Sequence, residues 1–262
     1  MEQLRGRTEH FTFDLLVKDN YARGTHFSQY LELGKKEKPC LSLTIPTSES
    51  INLRRYEKIN IAYLSNIESL YECVIGMSYN NFKKHSFGKE LLNWTIGYIK
   101  TKFPHIEFLE LTDESAIPCN RETNDILDLL SYNIALYGKT WYELKFNAII
   151  TNIEKYDIYR REVETYTSSK MIDWDTFSLN KMNNQYVREA LTANEEIYKI
   201  MYESSNTYPE FFNKVSKYVG DDKCKFFKGW LQNFIEAYVN ISKRWSIPIR
   251  TIGGARKSRK RK

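Results

Sequence analysis

Length, composition and charge limit the kinds of protein that this chain can be. Its 262 residues are 42% hydrophobic and 15% aromatic, which suffices for one large domain or two small ones. No stretch approaches the ~18 apolar residues of a membrane span, and the opening segment MEQLRGRTEHF lacks the apolar core of a signal peptide. We therefore expect neither a membrane-bound nor a secreted protein.

The formal charge of +6 comes from one end of the chain. The last seven residues, RKSRKRK, hold six basic side chains, and subtracting these 6 from 39 basic residues leaves 33 against 33 acidic ones. The body is therefore neutral, and the tail behind the Gly-Gly pair is expected to be disordered. Such a block favours contact with nucleic acid or a nuclear address; the alternative is a solvated terminus that aids solubility. Its basic residues are Arg256, Lys257, Arg259, Lys260, Arg261 and Lys262.

Cysteine and histidine are both scattered along the chain. No two cysteines form a CxxC pair, so we expect reduced thiols rather than a disulfide framework or a zinc site. The histidines are equally dispersed, and no metal is expected. The residues are Cys40, Cys73, Cys119 and Cys224, and His10, His26, His85 and His105.

The first third of the chain reads as a series of strands. The segments HFTFDLLV, THFSQYLELG, CLSLTI and KINIAYL mix β-formers with polar alternation and are separated by turn-like stretches. Next come SLYECVIGMSY, predicted to be a central strand, the amphipathic helix FGKELLNWTIGYIKTKF, and the strand IEFLELTD. The run from about residue 70 to residue 113 therefore predicts a βαβ unit.

The remainder is predicted to be mainly helical. A helix is expected over 122–137 and a short one after Thr140, with strand material in NAIITNIEKYDIYRREVETYT. Beyond residue 168, spaced apolar residues predict one helix from about Val187 to Met201, and TYPEFFNKVSKYVG predicts a second. A third is expected along FKGWLQNFIEAYVNISKRW, ending at Pro248, and we interpret its aromatic stripe as core packing rather than a binding face.

The segment LYGKTWYELKFNA contains a GKT that resembles the end of a phosphate-binding P-loop. A P-loop needs a glycine five residues before the GK, and position 133 is asparagine. A helix that ends at Gly138 and a second one capped by Thr140, with Glu143 completing a capping box, accounts for the same residues. We therefore interpret GKT as a joint between two helices.

The loop YNNFKKHSFG, residues 79–88, lies between a predicted strand and a helix start. Unpaired backbone amides at the positive end of a helix dipole suit a pyrophosphate. Lys83, Lys84 and His85 add positive charge, and Gly88 permits close approach of the backbone. The alternative is an ordinary strand–helix connection that binds nothing.

The order of mixed strands, basic loop, amphipathic helix, strand and a late W-Y-E-x-x-F resembles the GNAT acyltransferase fold. That family binds acetyl-CoA through R/Q-x-x-G-x-G/A followed by x-x-L-L. The aligned run here is KKHSFGKELL, with Lys83 at the R/Q position, Ser86 at the first glycine and Gly88 at the second. More specifically, LELTDES followed by YGKTWYELKFNA is similar to GNAT-like proteins of large nucleocytoplasmic DNA viruses. The resemblance covers residues 55–150.

The resemblance implies direct acetyl transfer from acetyl-CoA to an unknown amine, without a covalent enzyme intermediate. Met77 and Ser78 would hold the pantetheine, and the backbone amides of residues 84–88 the pyrophosphate. Tyr142 would protonate the departing thiolate, and a general base would be Glu72 or Glu110. The implied cofactor-binding residues are Met77, Ser78, Lys83, Lys84, His85, Ser86, Phe87 and Gly88.

These features predict an α/β (α+β) fold with a GNAT-like mixed central sheet flanked by helices. A mostly helical C-terminal subdomain and a disordered basic tail would follow, with boundaries at 1–165, 166–250 and 251–262. The alternative function is a catalytically inactive GNAT-like scaffold that serves as a virion or nucleic-acid-associated structural protein. The expected location is the cytoplasm or nucleus of an infected host cell, or the virion.

Overall fold

A sheet formed mainly by the first half of the chain and helices formed mainly by the second half make up the structure. The computed structural model describes residues 2–22, 24–35, 38–47, 60–67, 73, 87–120, 125–181, 185–228 and 230–250. Contacts divide the chain into a first unit, residues 1–112 with 246–262, and a second unit, residues 113–245. This division falls well before the boundary after residue 165 that the sequence suggested.

Nine strands lie within the described residues. In chain order they are β1 (Glu2–Arg7), β2 (Thr12–Ala22), β3 (Thr25–Lys35), β4 (Lys38–Pro46), β5 (Ile61–Ile67), β6 (Phe108–Thr112), β7 (Ala116–Asn120), β8 (Asp125–Asp128) and β9 (Arg244–Pro248). Seven of them form one sheet in the order β1-β2-β3-β4-β5-β6-β9, and β7 pairs with β8.

The α-helices in the same described ranges lie mostly after β8. They are α1 (Phe87–Lys102), α2 (Leu129–Tyr137), α3 (Trp141–Phe146), α4 (Ile153–Ser168), α5 (Trp174–Lys181), α6 (Gln185–Glu203), α7 (Tyr208–Val219), α8 (Lys223–Phe227) and α9 (Leu231–Glu236). Among the described residues, no helix combines the length and the apolar character needed to cross a membrane.

The large sheet is mostly antiparallel. Strands β1 to β5 pair antiparallel with their chain neighbours, whereas β5 and β6 are parallel and are joined through α1. The expected mixed α/β class is therefore confirmed. The predicted βαβ unit started with the strand SLYECVIGMSY, so it is not tested as predicted; in the structure, the parallel strands on either side of α1 in the chain are β5 and β6. The predicted strand SLYECVIGMSY lies outside the described residues except for Cys73.

The core of the first unit lies between the sheet and α1. Alternation along β3 and β4 buries Leu31, Leu33, Leu41 and Leu43, each at most 1% exposed. The helix packs on β2 through Trp94, whose ring lies 4.8 Å from that of Phe13. Because strand side chains alternate between two faces, the leucine spacing alone places these residues on the buried face.

Aromatic side chains fill the core of the second unit. Phe177 contacts Phe211, Phe212 and Phe234 with ring centroids 5.2, 6.3 and 5.4 Å apart. Phe227, Trp230 and Phe234 of the predicted stripe are all at most 8% exposed, which confirms core packing. The helix between Thr207 and Gly220 is also confirmed, because the Thr207 side chain accepts from the Glu210 amide.

Three sequence predictions in the second unit were wrong in part. Residues 153–168 form α4 rather than strand material, because Tyr159, Val163 and Tyr166 are buried at helical spacing. The helix expected over 122–137 begins only at Leu129, capped by Asp128, and β8 occupies the preceding residues.

The third C-terminal helix is the other incorrect prediction. Its sequence begins at Phe227, the last residue of α8, and forms the short helix α9 and then β9, which lies beside β6 in the large sheet. Burial along β9, Arg244–Pro248, does not alternate as it does in a surface strand, because Trp245, Ser246 and Ile247 are all buried. Continuous burial makes such a strand look like part of a buried helix in the sequence.

All four cysteines form disulfides. Cys40 pairs with Cys73 in the first unit and Cys119 with Cys224 in the second. The Cα atoms are 5.2 and 5.4 Å apart, within the usual range for disulfides. The expectation of reduced thiols was therefore wrong. Partners 33 and 105 residues apart give no local spacing signal.

Candidate functional site

Each of the two segments that carry the viral resemblance contributes one residue of interest to the second unit. Asp113 of LELTDES directly follows β6, and Tyr142 of YGKTWYE lies in the first turn of α3. The charge of Asp113 acts on the Tyr142 phenol and helps to raise its pKa. The two side chains are therefore close enough to interact electrostatically, although β7, β8 and α2 lie between them in the chain.

Asp113 is a buried carboxyl group with one uncommitted oxygen. The residue is 1% exposed, and its Oδ1 accepts from the amide and the hydroxyl of Ser115 at 3.0 and 2.5 Å. Its Oδ2 is buried without a hydrogen-bond partner within the described part of the chain. Burial raises the pKa of Asp113, and the Ser115 hydrogen bonds oppose this effect without cancelling it.

Tyr142 is buried beside this carboxyl group and is 5% exposed. Burial, followed by the charge of Asp113, raises the pKa of its phenol far above the ordinary value. A thiol has a pKa near 8.5, so full proton transfer from this phenol to a thiolate is unfavourable in the arrangement described. The phenol can instead donate a hydrogen bond to a group that develops negative charge.

The helix that carries Tyr142 is fixed by its N-terminal cap. Gly138 ends α2 in the left-handed conformation, φ 61°, and its amide donates to the Ile134 carbonyl at 2.9 Å. Thr140 and Glu143 then form the predicted capping box of α3. The interpretation of GKT as a helix joint is confirmed, and the P-loop is contradicted because a helix, not a strand and loop, precedes it.

Glu143 also anchors the next helix. Its Oε2 accepts from the Thr140 amide at 2.8 Å and from the Tyr159 hydroxyl of α4 at 2.7 Å. The Arg160 guanidinium lies 3.8 Å from its Oε1. Burial first, and then the charge of Glu143, raises the pKa of Tyr159. This network ties α3 to α4 and holds the Tyr142 backbone in place.

Most of the predicted acetyl-CoA loop lies outside the described residues. This applies to Met77, Ser78, Lys83, Lys84, His85 and Ser86, to Glu72, and to all six basic residues of the tail, Arg256, Lys257, Arg259, Lys260, Arg261 and Lys262. Phe87 and Gly88 are the two predicted cofactor residues that the structure describes, and Glu110 is the one predicted base.

The N terminus of α1 contains Phe87 and Gly88. The Phe87 side chain is 3% exposed and its ring lies 4.5 Å from that of Phe11, so it packs in the core. A Cβ atom added at Gly88 would meet no heavy atom of the described residues within 4 Å, so the space above this glycine is open to that part of the chain. Glu90 follows in the first turn, with Oε1 2.8 Å from Nδ1 of His10.

The carboxyl groups in and after β6 differ in environment. Glu110 is half-buried in β6, opposite Tyr63. Asp113, which the sequence reasoning did not select, is the one that burial perturbs. The sequence did contain a signal for Asp113, because this residue lies in LELTDES, one of the two segments that carry the viral resemblance. In the ranges that the structure describes, no group of His, Cys, Asp or Glu side chains could hold a metal ion.

Comparisons with protein-family models, with curated proteins and with solved structures give no match to this chain.

Proposed function

We propose that the protein is an acetyl-CoA-dependent N-acetyltransferase, similar to the GNAT-like proteins of large nucleocytoplasmic DNA viruses, that acts on an amine by direct acyl transfer. The observation that carries this proposal is the β5–α1–β6 crossover. It follows a run of antiparallel strands and places a parallel strand pair beside a helix start.

The crossover supplies a suitable place for a pyrophosphate. In a parallel βαβ unit, the carboxyl ends of both strands and the N terminus of the connecting helix lie at one edge of the sheet. The first amides of the 16-residue helix α1 have no partner within the helix, and its dipole favours an anion there. The open space at Gly88 would let a phosphate approach the backbone.

The proposed reaction replaces sulfur by nitrogen at the acetyl carbon. The acceptor nitrogen forms a bond to the acetyl carbon, the carbon–sulfur bond breaks, and the nitrogen loses a proton. The resemblance gives Tyr142 the task of supplying a proton or a hydrogen bond to the departing sulfur. Glu110 and Glu72 remain the bases that the resemblance implies.

Thermal shift with acetyl-CoA tests the binding step. A ligand that binds only the native state raises stability, by about 2.7 kcal/mol at one hundred times its Kd. Gly88→Glu should abolish the shift, because a carboxylate would occupy the pyrophosphate position. Gly97→Glu is the matched control, since Gly97 lies in the same helix with equally open space. Glu90→Gln should increase the shift by removing a negative charge from the first turn.

The proposal fails if millimolar acetyl-CoA leaves the melting temperature of the wild-type chain unchanged. It also fails if Gly88→Glu and Gly97→Glu respond alike to the cofactor. Acetylation of a lysine-containing peptide, followed by mass spectrometry, then tests whether bound acetyl-CoA is used.

A second candidate function is a non-enzymatic scaffold in a virion or on nucleic acid. Two disulfides favour it, because disulfides persist in oxidising places such as virion surfaces and are rare in the cytosol. This candidate requires salt-sensitive binding of DNA or RNA through the tail. Removal of residues 255–262 should abolish that binding, and unchanged binding after truncation would exclude the tail as the contact.

A further inference from the structure

A pocket in the second unit has no part in the proposed acetyl transfer. It has a volume of about 330 Å³ and lies beside the N-terminal half of α4. Three isoleucines, two lysines and two small polar residues surround it. They are Ile150, Ile158, Ile241, Lys155, Lys243, Asn240 and Ser242.

The lining combines an apolar surface with concentrated positive charge. Lys155 and Lys243 are both exposed, and neither forms an ion pair within the part of the chain that the structure describes. Lys155 is the third residue of α4, a 16-residue helix capped by Asn152. The positive end of that helix dipole adds to the two ammonium groups.

The carboxylate that acts on Lys243 is Asp113. The Asp113 amide donates to the Lys243 carbonyl at 2.7 Å, and the Asp113 side chain is buried and does not line the pocket. Glu162, further along α4, accepts from the Asn240 amide at 2.7 Å. The two lysines therefore keep a net attraction for an external anion.

We propose that this pocket binds a small amphipathic anion, with a carboxylate or phosphate monoester between Lys155 and Lys243 and a short apolar chain over the three isoleucines. The volume is at the small end of ligand pockets, about 300–1,000 Å³, so the apolar part is a few carbons long. None of the described residues that line the pocket is aromatic, so they offer no stacking surface for a nucleobase.

Calorimetric titration of the full chain with four probes tests the ligand class. Hexanoate and hexyl phosphate carry the two head groups on the same chain, 1-hexanol lacks the charge, and inorganic phosphate lacks the chain. At least one six-carbon anion should bind about tenfold more tightly than 1-hexanol and inorganic phosphate, since each exposed charge pair contributes up to ~1 kcal/mol. The stronger of the two anions identifies the head group.

Substitutions locate the binding. Lys155→Met and Lys243→Met should each weaken the preferred anion about two- to fivefold, and the double variant by the product of the two factors. Lys145→Met is the matched control, because Lys145 is exposed in α3 of the same unit and does not line the pocket. An unchanged melting temperature shows that each variant is folded.

Three results would overturn the proposal: no binding of either anion to the folded wild-type chain, equal affinity for hexanoate and 1-hexanol, or an equal loss in Lys145→Met. These results do not depend on acetyl-CoA. A failed acetyl-CoA shift therefore leaves this inference standing, and a failed anion titration leaves the acetyltransferase proposal standing.

Discussion

Asp113 is a buried acidic residue whose charged form lowers the stability of the folded protein. Its Oδ2 lacks a hydrogen-bond partner among the described residues, and burial raises its pKa. An asparagine at this position would keep the volume and the acceptor for Ser115 while removing a charge from a buried place. We expect Asp113→Asn to increase the free energy of unfolding at neutral pH, because burial disfavours the charged form of this carboxyl group.

The pH dependence of this effect has a definite sign. Because the folded pKa is raised, the contribution of Asp113 is most favourable below the unfolded value of about 3.9 and is lost as the pH rises through the folded value. The gain in free energy of unfolding from Asp113→Asn should therefore increase as the pH rises from the unfolded to the folded pKa, and then level off. Urea unfolding at several pH values would measure this gain. Asp221→Asn, at an exposed position, is the control. A variant less stable than the wild type at pH 7 would contradict the argument.

Glu143 differs from Asp113, because hydrogen bonds and an ion pair engage both oxygens of its buried carboxylate. Glu143→Ala would leave the Thr140 amide and the Tyr159 hydroxyl without their acceptor. We expect a loss of about 2–4 kcal/mol in the free energy of unfolding, from one helix cap and one buried hydrogen bond. Tyr159→Phe, which removes one of these donors, should cost about 1 kcal/mol. Equal losses in both variants would show that the cap contributes nothing.

At the scale of elements, the joint between α2 and α3 depends on a glycine. Gly138 has φ 61°, and a Cβ atom there would lie 2.4 Å from Cγ2 of Thr167 in α4. Gly138→Ala should therefore destabilise the protein by about 1–3 kcal/mol through left-handed strain and a clash. Thr167→Ser removes the Cγ2 atom, so the double variant should recover the part due to the clash. Additive losses, measured by denaturant unfolding, would rule out this contact.

Elements with their own start and stop signals were the ones that the sequence predicted well. The capping box at Thr140 and the cap at Thr207 both form as expected, because they depend only on neighbouring residues. Strands β3 and β4 also form where the sequence predicts them. By contrast, α4 is rich in tyrosine, isoleucine and threonine, whose strand preference tertiary packing overrides.

Side-chain faces were harder to predict than the helices themselves. In α6, the expected Ile197 and Ile200 are 38% and 59% exposed, while Tyr198 and Tyr202 are buried. The aromatic contacts of Tyr198 with Phe226 and of Tyr202 with Phe177 decide which face is inside. The Asp113–Tyr142 pair has the same origin, because only the fold brings a residue after β6 to a residue of α3.

At the scale of the whole molecule, the disulfides are the feature that the sequence could not reveal. The partners are 33 and 105 residues apart, and cysteine pairing over such distances follows from the fold rather than from local spacing. The mixed sheet, in contrast, follows from the order of strands and one helix. Each disulfide lies within one unit, so each cross-link restrains the unfolded chain of its own unit.

Removing the two disulfides separately should therefore give two different losses. Chain entropy predicts about 4.7 kcal/mol for a loop of about 100 residues and about 3 kcal/mol for one of about 15 residues. We expect Cys119→Ala with Cys224→Ala to lower the melting temperature more than Cys40→Ala with Cys73→Ala, and dithiothreitol to lower that of the wild type. Thiol labelling of the unfolded, unreduced chain should find no reactive cysteine. Labelling at all four positions, or no response to dithiothreitol, would show that the cysteines are reduced in solution.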